Sequence, residues 1–146
     1  MPTAYACLDV HIVFSTKDRA PIIHESWRSG LHAYVGGTLR GLGAFVYTVG
    51  GTSDHVHVAA GLKPAQAVAD VVRELKKAAT KWAADHCEGF AWQTGYGAFS
   101  FSFRERQTIV SYVNEQEQHH RRITSADELR ALLVEHDIAY DERYFV

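Results

Sequence analysis

From Tyr5 to Phe14 the chain is rich in β-branched and aromatic residues, and the polar run Ser15-Thr16-Lys17-Asp18-Arg19-Ala20-Pro21 interrupts it, which predicts a first strand followed by a loop. From Ser26 the spacing changes. Trp27, Leu31, Tyr34, Val35 and Leu39 recur every three or four residues until Gly41 and Gly43, the pattern of an amphipathic helix. Two short β-rich runs, Ala44 to Val49 and His55 to Leu62, flank Gly50-Gly51-Thr52-Ser53-Asp54 and predict a hairpin. Pro64 suits the first turn of a second helix, with Val68, Val71, Val72, Leu75, Ala79 and Trp82 as its apolar stripe and Arg73, Lys77 and Lys81 opposite. Ala91 to Phe103 reads as an aromatic β segment bent at Gly95 and Gly97. Glu105 to His120 and Ala126 to His136 read as a third and a fourth helix, ahead of an aromatic tail from Tyr140 to Phe145.

The order β-α-β-β-α-β predicts an α+β fold of the ferredoxin-like (RRM-like) split βαβ type. It should hold a four- to five-stranded antiparallel sheet with two helices on one face, followed by C-terminal helices that carry Tyr112. At 146 residues, with no internal repeat, linker or low-complexity tract, a single domain over residues 1–146 is expected. No apolar run approaches the eighteen or so residues of a membrane helix, and Met1-Pro2-Thr3-Ala4 lacks a basic, then apolar, leader. The expectation is a cytoplasmic protein without a membrane partner. Cys7 and Cys87 have neither CxxC spacing nor the density of a disulfide scaffold, and are read as reduced thiols without a chemical role.

The net charge of −2 argues mildly against a nucleic-acid partner. Its distribution weakens that objection. From Thr124 onward six acids, Asp127, Glu128, Glu135, Asp137, Asp141 and Glu142, face only Arg130 and Arg143, so the acidic tail holds −4 and residues 1–123 hold +2. Arg73, Lys76, Lys77 and Lys81 then form one candidate phosphate-facing stripe, and Arg121 with Arg122 a second, although charged helix faces often serve only solvation. Trp92, Tyr96 and Phe99 offer stacking surfaces for bases, but sheet aromatics more commonly fill a core.

The chemistry concentrates in Thr52-Ser53-Asp54-His55-Val56-His57-Val58. Two histidines one residue apart on a strand project from the same face, where they can share one metal ion. A lone HxH is common, and imidazole suits Mn, Co or Zn as readily as Mg, so a third ligand is needed. Tyr112 and Gln116 stand four apart in the third helix, placing a phenol and a hard, neutral amide oxygen on one face. A metal clamp beside a tyrosine points to phosphoryl transfer through a covalent phosphotyrosine. Asp54 is a candidate to orient a ligand imidazole, or a turn residue. His119 and His120 read as capping groups or DNA contacts, and no residue stands out as acceptor of the Tyr112 proton.

Five segments in order, Asp54-His55-Val56-His57, the basic amphipathic helix, Trp92-Gln93-Thr94-Gly95-Tyr96-Gly97, Tyr112-x-x-x-Gln116 with His119-His120-Arg121, and Tyr140-Asp141-Glu142-Arg143-Tyr144, resemble the single-tyrosine HUH transposases. These are the IS200-like enzymes of bacterial insertion sequences and their relatives associated with repetitive extragenic palindromes (REP). The resemblance begins at His11-Ile12-Val13-Phe14 and covers nearly the whole chain. It implies that His55, His57 and Gln116 ligate a divalent metal, Mg or Mn, and that Tyr112 is the nucleophile. It further implies a homodimer acting on single-stranded DNA with hairpin or palindromic ends, cutting and rejoining it without ATP, in some members with the tyrosine helix exchanged between subunits. Three other readings stay open: a domesticated nuclease that processes palindromic repeats, a non-catalytic ferredoxin-like nucleic-acid binder, and a small metal-dependent hydrolase using water.

Overall fold

The structure, a computed structural model, describes residues 4–144; Met1, Pro2 and Thr3 of the amino-terminal segment and Phe145 of the aromatic tail lie outside the described residues. Strand β1 (Leu8–Ser15) leads through a single 3-10 turn at Lys17–Arg19 to helix α1 (Glu25–Gly41). The hairpin of β2 (Phe45–Gly51) and β3 (His55–Leu62) follows, then α2 (Val68–Ala83) and β4 (Gly97–Ser100). A 3-10 turn at Phe103–Glu105 opens α3 (Arg106–Asn114), followed by the short α4 (Gln116–His119), α5 (Ser125–Glu135) and a last 3-10 turn at Glu142–Tyr144. The four strands are antiparallel in the order β2-β3-β1-β4, which is the predicted ferredoxin-like arrangement.

Strand alternation divides the sheet into two faces with different duties. Ile12, Phe14, Val56, Val58 and Ala60 point to one side, where they pack with Leu31, Val35 and Leu39 of α1 and Val71, Val72, Leu75 and Ala79 of α2 in the main core. Each such buried aliphatic side chain contributes about 1.5–3 kcal/mol relative to exposure. On the other side Ala59 meets Phe101 and Val113, with Tyr47, Ile109 and Tyr112 at the margin. The face that α1 and α2 leave open therefore receives α3, and with it the tyrosine. Helix α1 stops where Gly43 adopts φ 93: its amide bonds to Arg40 O at 3.0 Å and that of Ala44 to Leu39 O at 3.1 Å, a Schellman closure that returns the chain into β2.

Three expectations need revision. Pro64 sits in a turn ahead of α2, because Lys63 N–H is taken by Gln66 Oε1 at 2.7 Å, and the helix begins only at Val68. Of the segment Ala91 to Phe103 only Gly97–Ser100 is strand; Trp92 makes one bridge to Thr16, and Gly95, with φ 92, turns the chain between them. Helix Glu105 to His120 is broken at Glu115, whose φ of −101 and ψ of 20 separate α3 from α4. The Gln116 side chain donates to Tyr112 O at 3.1 Å, replacing the backbone bond that would continue the helix. The predicted fourth helix is present as α5: Thr124 Oγ1 accepts from Asp127 N–H at 3.2 Å and caps it, and the helix packs against the open face. Among the described residues, no helix is long and apolar enough to cross a membrane.

Candidate metal and tyrosine centre

His55 and His57 begin β3, and the same alternation that sends Val56 and Val58 into the core turns both imidazoles to the opposite face, fully buried. Gln116, 1% exposed, and Tyr112 approach them from α4 and α3 of the same chain. Gln116 Oε1 lies 3.0 Å from His55 Nε2, and the Tyr112 ring centroid stands 5.7 Å from that of His57. The four residues predicted from sequence therefore meet at one place.

Three further side chains close around them. Glu128 enters from α5 with 2% exposure: its Oε1 is 2.8 Å from His57 Nε2, 3.2 Å from His120 Nε2 and 3.5 Å from His55 Nε2, and its Oε2 accepts the Tyr112 hydroxyl. His120 also meets Gln116 Oε1 at 2.9 Å. His11, on β1, places Nε2 2.6 Å from His57 Nδ1. Ligating atoms of His55, His57, His120 and Glu128 all lie within 4.8 Å of one another.

The hydrogen bonds decide what this cluster can accept. Asp54 Oδ1, 2.7 Å away, takes the Nδ1–H of His55, and the Ile123 carbonyl, at 2.6 Å, takes that of His120. The Nε2 lone pairs of both rings consequently converge on the oxygens of Gln116 and Glu128. Gln116 cannot turn its amide to relieve them, because its NH2 is held by Tyr112 O. Acceptors crowded around one point repel each other until a proton or a metal ion stands among them, and nitrogens with hard oxygens are a donor set that fits a divalent cation.

Residues 4–116, more than three quarters of the chain, match the family model described as transposase, IS200 like. The chain belongs to this family. A protein of Deinococcus radiodurans R1 assigned as a transposase superposes with a TM-score of 0.64 at 21% identity, covering 77% of this chain and 93% of its own. A REP-associated tyrosine transposase bound to a REP hairpin gives a TM-score of 0.58 at 15% identity, covering 77% of this chain and 68% of its own. At those identities the likeness is one of fold. No curated protein matches the sequence.

In this IS200-like transposase the electrostatics keep the imidazoles of His57 and His11 neutral. Burial pushes His57 down to about 4 despite its bond to Glu128, and burial with the neighbouring His57 pushes His11 down to about 3. Burial also opposes ionisation of Glu128, yet the bond from His120, once its ring carries both protons, and the bond from His57 outweigh it and hold the carboxyl well below its usual range. His120 is raised, since Glu128 overcomes its desolvation. Tyr112 is raised by burial first and by Glu128 second, so the phenol is a hydrogen-bond donor here. Asp54 is lowered: the bond from His55 overcomes its burial, and Ser125 Oγ at 3.1 Å ties it to the start of α5.

The basic residues separate into three groups. Lys76 spends its ammonium on Gln93 O at 2.8 Å and Gly95 O, inside the loop ahead of β4, and so leaves the predicted phosphate stripe. Arg73, paired with Asp70 at 3.0 Å, Lys77 and Lys81 are exposed on α2, whose packing puts them across the sheet from Tyr112. Arg121 and Arg122 are exposed on the tyrosine side, and Arg122 lines a recess with Tyr112 and His119. Phe99 is buried, Trp92 packs edge-on against Phe14 and Phe90, and of the three aromatics only Tyr96, 44% exposed, presents a free face.

Sequence reasoning missed Glu128, His11 and the inward role of His120. Glu128 was submerged in the charge of the acidic tail. The available signal was positional: Ser125, Glu128 and Leu132 share one face of α5, and an acid on the inward face of a helix seldom lacks a partner.

Proposed function

We propose that this transposase cleaves and rejoins single-stranded DNA at hairpin-bearing ends, with Tyr112 as nucleophile and His55, His57 and Gln116 holding a divalent cation, Mg or Mn. The observation that carries this reading is that the Tyr112 hydroxyl and the lone pairs of the HxH strand share one buried cluster within one chain. When bound, the cation supplies Lewis acidity and a template for the phosphoryl oxygens. Glu128 Oε2 accepts the phenol's hydrogen bond and leaves an oxygen lone pair of Tyr112 for attack on phosphorus. The attack forms a 5′-phosphotyrosine and releases a 3′-hydroxyl, and the reverse attack by another 3′-hydroxyl rejoins the strand without ATP. Asp54 and His11 fix the rings of His55 and His57 from behind.

Beside Tyr112 a groove of about 310 Å³, lined by Phe99, Phe101, Ile109 and Leu132, gives the strand flanking the scissile phosphate a place to lie. A REP-type hairpin is the substrate class this reading favours, because the REP-associated neighbour binds one. One domain carries the whole activity, in the cytoplasm, and the homodimer belongs to the reading too. In this reading Tyr112 serves the histidines of its own chain, which the 5.7 Å between the Tyr112 and His57 ring centroids supports.

The test is incubation of the protein with end-labelled hairpin DNA and manganese. A denaturation-resistant protein–DNA adduct that disappears in Tyr112→Phe supports the proposal. Cleavage without an adduct points to water as nucleophile, binding without cleavage to a domain that only binds, and either overturns it.

A further inference from the structure

The ligands assigned above, His55, His57 and Gln116, are all uncharged donors, whereas Mg and Mn are held mainly by hard, anionic oxygens. Glu128 supplies the missing element. It is a buried carboxylate whose close contacts are the imidazoles of His55, His57, His119 and His120 and the Tyr112 hydroxyl, with the charge of Arg19 also acting on it. A carboxylate so placed is costly unless a cation faces it. Its two oxygens also point different ways, Oε1 toward the ring nitrogens and Oε2 toward the phenol.

Resting on the metal reading above, we propose that Glu128 is the anionic ligand of the cation through Oε1, while Oε2 holds the Tyr112 hydroxyl. One carboxylate thereby ties the nucleophile to the metal. Glu128 lies on α5, beyond residues 4–116, the part of the chain that matches the family model. The first turn of that helix is anchored against the HxH hairpin, because Ser125 Oγ donates to Asp54 Oδ2 at 3.1 Å and receives Arg19 Nη1 at 2.9 Å.

The experiment is calorimetric titration of Mn2+ and Zn2+ into the full chain, comparing wild type, Glu128→Gln and His57→Ala. Glutamine keeps the shape and can still accept from Tyr112, so the substitution removes chiefly the charge. Mn2+ affinity is expected to fall at least tenfold in Glu128→Gln, and Zn2+, better served by imidazole, is expected to lose less. Unchanged Mn2+ affinity in Glu128→Gln, where His57→Ala abolishes binding, overturns this proposal and leaves the metal reading standing. Wild type that binds no Mn2+, or binding that His57→Ala does not weaken, overturns both. A second readout needs no variant. Wild-type protein carrying 13C at its glutamate side-chain carboxyls is expected to show a 13C coupling in the electron–nuclear double resonance spectrum of bound Mn2+. Glu128 is the one glutamate in the described cluster, so absence of that coupling overturns the proposal.

Discussion

A Cβ built on Gly50 would lie 2.2 Å from the carbonyl oxygen of Val113. Gly50 stands opposite His57 in the β2–β3 ladder, and Val113 follows Tyr112, so the missing side chain sets the distance between the histidine-bearing hairpin and the tyrosine helix. The obstacle is backbone, which cannot rotate away. Gly50→Ala is expected to destabilise the protein by about 1–3 kcal/mol in urea denaturation and to depress adduct formation more than DNA binding. Gly37→Ala is the control. That glycine lies within α1 with nothing within 4 Å, and the same added methyl is expected to stabilise by about 0.4–1 kcal/mol.

In the proposed metal site Asp54 would act on the cation only through His55. Its Oδ1 receives the ring Nδ1–H while Thr52 and Ser125 hold the carboxylate in place. Asp54→Asn is therefore expected to weaken Mn2+ binding by about 10–100-fold while leaving the tyrosine helix seated. Calorimetry with far-UV circular dichroism on the same sample checks both halves; a loss of helix signal parallel to the loss of affinity would make Asp54 a fold residue alone.

Legibility followed the range of the interactions. The first strand, α1, the hairpin and the pairing of His55 with His57 are local in origin, written in period and turn chemistry, and they stand close to where the pattern put them. The meeting of Tyr112 and Gln116 with that pair was also readable, because a helical turn separates them in sequence. The break at Glu115 was not, since it depends on a side chain capturing the Tyr112 carbonyl. Glu128 and His11 were hidden for another reason: each is defined by a partner 71 or 46 residues away, and their own neighbours in sequence make them look like a tail acid and a strand residue.

His32 offers a titration outside the proposed ligand set, although the neighbouring His55 adds to its shift. Burial, with Arg28 nearby, pushes it down to about 4, and its Nε2 is buried without a partner. Below about pH 6.5 the unfolded chain binds a proton that the folded one refuses. Stability contributed by the neutral ring is therefore present above pH 6.5, falls with pH through the window down to about 4, and falls no further below it. The slope is at most about 1.4 kcal/mol per pH unit, so between pH 7 and pH 5 the loss from this residue reaches about 2 kcal/mol. His57 and His11 act in the same direction. His32→Gln is expected to flatten the dependence of urea stability on pH by that share; an unchanged slope would show that the ring is protonated in the fold.

The path of the DNA is readable from salt dependence. Each phosphate contact on a single strand adds about 0.7 to the slope of log affinity against log salt. The exposed Lys77 and Lys81 are separated from Tyr112 by the sheet, whereas Arg121 and Arg122 share its side and Arg122 borders its recess. For a short hairpin, Arg121→Ala and Arg122→Ala are each expected to lower the slope by about 0.7, and Lys77→Ala and Lys81→Ala to leave it unchanged. Lys76→Met must behave differently from all four. Its ammonium already serves two carbonyls of the loop that leads into β4, so the expected effect is a loss of about 1–2 kcal/mol of stability with the slope intact. Fluorescence anisotropy over a potassium chloride series, with urea denaturation for Lys76→Met, measures both. A reduced slope in Lys77→Ala or Lys81→Ala would carry the strand around to the far face of the sheet and away from the groove beside Tyr112.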